Sequence, residues 1–255
     1  MRRVGPLAAA LGSLLVTAAS PALAPVPAAS RPARQQEAPW VVGETLEYRL
    51  RFLVFNIGRA TLTVLGVDTV RGEPCYHVQF TVHGRAPFYA LDDSLRSWIG
   101  VRDLVSRRFE QDANDNGHLR SRRYEILPEQ GIRIRNGTDT AQTVAEPLDD
   151  VSFIYFGRTV PLDSGQTYVF PRYFEVDRNP ITIQVIGRES IRVPAGRFDA
   201  VAVRPIFRSG GLFGEGGRAV IWFSDDRERI PLRIRASMRI GSVDISLRSR
   251  TLPSP

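Results

Sequence analysis

The sequence contains no lysine: all 34 of its basic residues are arginine. A phosphate-gripping nucleotide loop needs its lysine, and a Schiff-base enzyme needs a lysine amine. Both chemistries are excluded. There is one cysteine, Cys75, so an intrachain disulfide and any multi-cysteine zinc or iron–sulfur site are excluded too. The histidines are His77, His83 and His118, too few for a histidine-rich metal centre. No GxSxG elbow marks a hydrolase nucleophile. The stretch SGGLFGEGG at 209–217 lacks the Lys-Ser/Thr of a phosphate loop, and no helical pattern follows it. No cofactor and no metal are expected.

What is present is a chain of 255 residues, 43% hydrophobic. That is enough for one large β domain or two small ones with a real core. The net charge is +7, from 34 basic and 27 acidic residues. The first residues read as an export signal. Arg2 and Arg3 give the positive end, LAAALGSLLVTAA at 7–19 the apolar core, and ALA at 22–24 small residues for cleavage. A signal peptide over 1–28 is expected, with cleavage between 24 and 30 because Pro25 disfavours a cut directly before it. The apolar run is too short and too Gly-interrupted to span a bilayer comfortably. No cysteine follows it, which excludes a bacterial lipoprotein anchor. Loss of Arg2 and Arg3 lowers the net charge to +5, since the first 28 residues hold no acid. The mature protein is expected to be periplasmic or otherwise exported, and nucleic acid is not an expected partner.

Residues 29–39 are Pro-, Ala- and Gln-rich and read as a disordered lead-in. From residue 40 to 252 a single β domain is expected. TLEYRLRF at 45–52 alternates strictly, with Leu46, Tyr48, Leu50 and Phe52 on one face. YHVQFTVH at 76–83 repeats the pattern. This is the signature of half-buried antiparallel strands. Similar runs follow at 59–67, 94–99, 104–111, 119–127, 131–136, 167–176, 181–187, 189–193, 198–206, 218–224, 231–239 and 242–250. Gly, Pro, Asn or Asp separates most of them. The fold class is therefore all-β and mainly antiparallel: a single curved sheet, barrel or half-barrel. One short helix is expected near 149–158, capped by Asp149 or Asp150, with Val151, Ile154 and Tyr155 on its packed side.

Several segments resemble a known family. VVGETLEYRLRF with NIGRATLTV, LDDVSFIYFGR, VPAGRFDAVAVRP at 193–205, and IWFSDDRERIPLRIRASMRIGSVDISL at 221–247 are similar to the bacterial family called domain of unknown function 3108. Together they span roughly 40 to 250. The resemblance implies an exported β-rich protein without an assigned activity. It carries over no catalytic or binding residue.

The candidate sites are few. Asp225 and Asp226 stand side by side in DDRER, between two strand patterns, and Asp92 and Asp93 form a second pair. Either pair could serve as acids in a hydrolase acting on an envelope polymer. A hairpin tip is the simpler reading of DDRER, since Asp favours turns. Cys75 and His77 could share a metal, but two ligands make a poor site. Leu212 and Phe213 sit at the centre of the Gly-rich loop and could gate a cavity or touch a membrane. Between 218 and 250 eight arginines face four acids. Arg233, Arg235 and Arg239 share one strand face, and Arg248 and Arg250 lie near the end of the next. Paired as a hairpin, they would form one basic surface that attracts anions. The expected function is a non-enzymatic envelope protein binding an amphipathic or anionic ligand, an envelope lipid or anionic glycan, in or on a curved sheet, with peripheral membrane contact. The alternatives are the hydrolase and a structural partner of another envelope protein.

Overall fold

Alternation of apolar and charged residues dictates most of the elements. The computed structural model describes residues 38–86, 89–208, 219–238 and 241–253. The expected signal peptide, and the lead-in as far as residue 37, lie outside the described residues. The strands are β1 (Thr45–Phe52), β2 (Phe55–Val70), β3 (Glu73–Ala86), β4 (Tyr89–Gly100), β5 (Ser106–Asp115), β6 (His118–Leu127), β7 (Ile132–Arg135) and β8 (Asp139–Gln142). The helix α1 (Asp150–Gly157) follows, then β9 (Thr167–Phe170), β10 (Ile181–Val193), β11 (Gly196–Ile206), β12 (Ala219–Ser224), β13 (Pro231–Met238) and β14 (Gly241–Thr251).

All fourteen strands belong to one antiparallel sheet, in the order β8-β7-β6-β5-β4-β3-β2-β1-β14-β13-β12-β11-β10-β9. Each strand pairs with its chain neighbour, except where β1 meets β14 and joins the two halves. The sheet is not closed, and β8 and β9 are its edges. The all-β curved sheet expected from the sequence is what is found. The described residues lie in one compact unit. The segments 181–187 and 189–193, read separately in the sequence, are one strand: a bulge between Val185 and Gly187 interrupts the alternation of β10 without ending it.

Leu46, Tyr48 and Leu50 of β1, Ala60, Leu62 and Val64 of β2, and Ile245 and Leu247 of β14 lie in one core cluster. They define the inner face. Helix α1 lies on it, against β3 and β4. Asp149 caps the helix: its Oδ1 accepts Val151 N and Ser152 N, each at 2.9 Å. Its Oδ2 accepts Ser97 Oγ of β4 at 2.5 Å and Ser106 Oγ of β5. The cap thus ties the helix to the sheet. Every residue from Val151 to Gly157 is buried, not one stripe alone. The reason is a strap that crosses beside it: Leu148 bridges Tyr173, and Phe174 packs edge-on against Phe109 and Tyr124. A helix enclosed between sheet and strap has no face left for water.

Candidate functional site

With the inner face packed into one apolar core, the outer face of the sheet carries a row of charge. Arg233 and Arg235 of β13 stand opposite Ser246 and Asp244 of β14. Asp244 Oδ2 accepts Arg233 Nε at 2.6 Å and Arg235 Nε at 3.3 Å. Ser246 Oγ donates to Asp244 Oδ1. The Arg233 guanidinium also lies 5.6 Å from the ring centre of Trp222 on β12, a cation–π arrangement. Asp244 is almost wholly buried beneath the two arginines.

The row continues across β1 and β2. Arg49 is the partner of Ser246 on one side and of Arg59 on the other. Arg51 stands opposite Asp244, and Arg59 opposite His83 of β3. The segments 231–238, 241–247, 48–63 and 78–86 hold Arg233, Arg235, Arg49, Arg51, Arg59 and Arg85, against Asp244 as their one acid. Glu47 of β1 and Asp92 of β4, opposite His83, flank the row on the same face, so six positive charges and three negative leave this patch at +3. Among the described residues, Arg49, Arg59 and Arg85 have no acidic partner, and Arg49 Nε is buried without an acceptor. Arg51 donates to the carbonyl of Val54 at 3.2 Å. Like charges opposed across two strands, as Arg49 and Arg59 are, weaken a sheet.

The structure divides the arginines expected from the sequence. Arg233 and Arg235 do share one face. Arg250 does not. A bulge between Glu47 and Tyr48 of β1 leaves Arg248 without a partner, because Ser249 pairs with Glu47 and Leu247 with Tyr48. One extra residue reverses the alternation, so Arg250 stands opposite the buried Leu46. It bonds Glu44 at 2.8 Å and Glu228 at 2.6 and 2.9 Å. Arg248 is exposed within the bulge. Arg239, Leu212 and Phe213 lie outside the described residues. The arginines missed, Arg49, Arg51, Arg59 and Arg85, were visible as the polar positions of alternating strands. Their place beside Arg233 was not, because it depends on the β1–β14 pairing.

Neither carboxylate pair forms a catalytic dyad. Asp226 Oδ1 accepts Ser224 Oγ at 2.7 Å, and Glu228 N and Arg229 N at 3.0 Å each. It organises the β12–β13 turn. Asp225 pairs with Arg188 at 2.8 Å and Arg229 at 2.9 Å. Asp92 lies 2.9 Å from His83 Nδ1 on the outer side. Asp93, its neighbour on the strand, points to the opposite face, where burial raises its carboxyl pKa.

Cys75 and Trp98 pack with Val70 in a second small cluster. His77 stacks on Trp98 at 4.3 Å, and Asp68 accepts from the Trp98 indole at 2.9 Å and lies 3.0 Å from His77 Nδ1. Burial pulls the His77 imidazole below its usual range, against the opposing pull of Asp68. Among the described residues no group of three or more His, Cys, Asp or Glu side chains could hold a metal ion. An open polar hollow of about 420 Å³ lies beside Arg120, Arg122 and Arg135. Asp115 and Asp139 pair with Arg120 and Arg135 there.

Residues 47–248 match the family described as Protein of unknown function (DUF3108). The chain belongs to the DUF3108 family. The match takes in β1 through most of β14, and so the whole basic row. No curated protein matches the chain. Among solved structures, this DUF3108 chain is similar to a beta-barrel-like protein of domain of unknown function DUF1849 from Brucella abortus. The TM-score is 0.54 at 11% identity, covering 84% of this chain and 99% of that one. That likeness is one of fold alone. A protein from Parabacteroides distasonis ATCC 8503, provisionally assigned as a lipoprotein, aligns at 12% identity with a TM-score of 0.29, covering 83% and 96% of the two chains. No helix among the described residues is long and apolar enough to cross a membrane.

Proposed function

We propose that this protein is an exported, non-enzymatic envelope protein that binds an anionic envelope ligand, a lipid or an acidic glycan, on the outer face of its curved sheet. The observation that carries this reading is the row of arginines from Arg235 and Arg233 through Arg49 and Arg51 to Arg59 and Arg85, in which Arg49, Arg59 and Arg85 have no acidic partner among the described residues. Arginines held beside one another without acidic partners repel, and an arriving anion relieves that repulsion. The fork of a guanidinium suits phosphate, sulfate and carboxylate oxygens. The export signal expected over residues 1–28, ahead of the β domain, supports the envelope location. Since the inner face is packed into one buried core with α1, the reading puts the ligand outside the sheet rather than within it.

The test is binding at low and high salt. The purified mature protein is incubated with phosphatidylglycerol-containing vesicles and, separately, with dextran sulfate. Wild type should bind at least one of them at low salt and release it as salt shortens the reach of the charges. The double variant Arg59→Glu, Arg85→Glu alters exposed side chains without an acidic partner among the described residues, so it should fold normally and lose binding. A wild type that ignores both probes at low salt overturns the proposal.

A further inference from the structure

The turn between β1 and β2 breaks the rule for its type. Phe52 pairs with Phe55, leaving Leu53 and Val54 as a two-residue hairpin loop. Such loops favour Asn-Gly, Asp-Gly or Gly-X, because the first position takes a positive φ. Here Leu53 takes it, at φ 53°, a conformation unfavourable for a bulky side chain. Its neighbours gain nothing from burial: Val54 is 71% exposed and Phe55 66% exposed. An apolar tip that violates turn chemistry and adds nothing to the core points to a contact beyond the chain.

The surroundings say what kind of contact. Arg51 lies two residues before the tip and Arg59 four residues after Phe55, on the strands that carry the basic row. The β5–β6 turn lies at the same end of the sheet, since β2 and β4 run one way and β3 and β5 the other. It presents Leu119, 79% exposed. Exposed apolar side chains rimmed by unpaired arginines match the layering of an anionic bilayer, with phosphates at the surface and hydrocarbon beneath. A polyanionic glycan would use the arginines but has no place for Val54 and Phe55.

Resting on the anion-binding reading above, we infer that the β1–β2 tip, Leu53–Val54–Phe55, inserts into the surface of an anionic lipid bilayer while Arg49, Arg51 and Arg59 hold the headgroups. The basic row brings the protein to the surface, and the tip distinguishes a bilayer from any other anion.

An environment-sensitive dye on the tip tests this. Val54→Cys is labelled with a nitrobenzoxadiazole maleimide; native Cys75 is buried and stays unlabelled, which unsubstituted protein verifies. Glu73→Cys, at the opposite end of β3, is the control. The Val54 dye should shift to the blue with phosphatidylglycerol–phosphatidylcholine vesicles, and the Glu73 dye should not. Neither should shift with dextran sulfate. Phe55→Asp should weaken vesicle binding by on the order of tenfold or more and leave dextran sulfate binding unchanged. If vesicles co-sediment with the protein but the Val54 dye does not shift, the insertion is overturned and the anion-binding reading stands. Binding to dextran sulfate without binding to vesicles likewise overturns the insertion and leaves anion binding in place. A blue shift that occurs without lipid, on self-association, assigns the tip to a second copy and overturns the inference. Failure to bind either probe overturns both readings.

Discussion

Glu44 and Arg158 are 114 residues apart in the chain, and Arg158 Nη1 donates to Glu44 Oε1 at 2.5 Å with neither side chain more than 1% exposed. Arg158 ends α1, and Glu44 precedes β1. The guanidinium also donates to the carbonyls of Pro39 and Glu228 and lies 5.5 Å from the Trp40 ring centre. Arg250 reaches the same carboxylate from β14. The cluster therefore fastens the helix to the seam where the two halves of the sheet meet. Breaking a buried pair by removing one partner costs about 3–5 kcal/mol, because the other charge is left unpaired. Glu44→Gln, which strands Arg158, should lower stability by that amount in urea. Arg250→Gln should cost less, since part of Arg250 reaches solvent. Equal urea midpoints for wild type and Glu44→Gln would show that the cluster does not hold the seam.

Asp149 makes folding depend on pH. Burial raises its carboxyl from 3.8 to about 6, although the hydroxyls of Ser106 and Ser97 and the amides of Ser152 and Val151 pull the other way. The folded state then binds its proton more tightly than the unfolded state. The stabilisation from this proton is full below about pH 3.8 and is lost as pH rises through about 6, by up to about 3 kcal/mol. Asp149→Asn cannot titrate, so wild type should lose stability relative to it between pH 4 and pH 7. Urea unfolding at the two pH values checks this; a constant difference would place the carboxylate as ionised throughout.

The Asp226 turn should tolerate amide but not methyl. In Asp226→Asn the side-chain oxygen can still accept Glu228 N and Arg229 N, so the expected cost is under about 0.5 kcal/mol. Asp226→Ala removes that acceptor and should cost about 1–2 kcal/mol. Trp222 on the adjoining strand is half-buried, with its indole donating to Glu189 at 2.8 Å. Trp222→Ala should cost about 1–3 kcal/mol, below the range for a fully buried tryptophan. Thermal or urea melts of the three variants order these costs, and an Asp226→Asn variant as unstable as Asp226→Ala would contradict the turn role.

Cys75 should report unfolding. Its thiol is buried, and burial raises its pKa ahead of the lowering effect of Arg107. Thiolate is the reactive form. Native protein at pH 8 should therefore react slowly with Ellman's reagent, and protein in urea should release one equivalent at once. Rapid reaction of native protein would place the thiol at the surface.

The alternation of side chains was enough to read an antiparallel β fold, because inward and outward positions of a half-buried strand differ in chemistry at every step. Leu46, Tyr48 and Leu50 declare the inner face of β1 without reference to any other strand. Asp149 and Asp150 together marked the helix start, with the structure choosing Asp149 as the cap, and the DDRER turn was legible because Asp serves turns through its own backbone neighbourhood. These are local signals.

Tertiary structure decided the rest. Whether Arg250 belongs with Arg233 turned on one bulged residue at Arg248, which no alternation reveals, since an extra residue reverses the face of everything after it. That Arg49 and Arg59 extend the row of Arg233 and Arg235 followed from β1 pairing with β14, a contact between opposite ends of the chain whose partner the β1 sequence does not name. The complete burial of α1 came from a strap more than fifteen residues further on. Sequence alone set which way each side chain faces along its own strand; only the folded sheet set which side chains stand next to one another, because strand pairing is non-local and a charge is given its role by its neighbours.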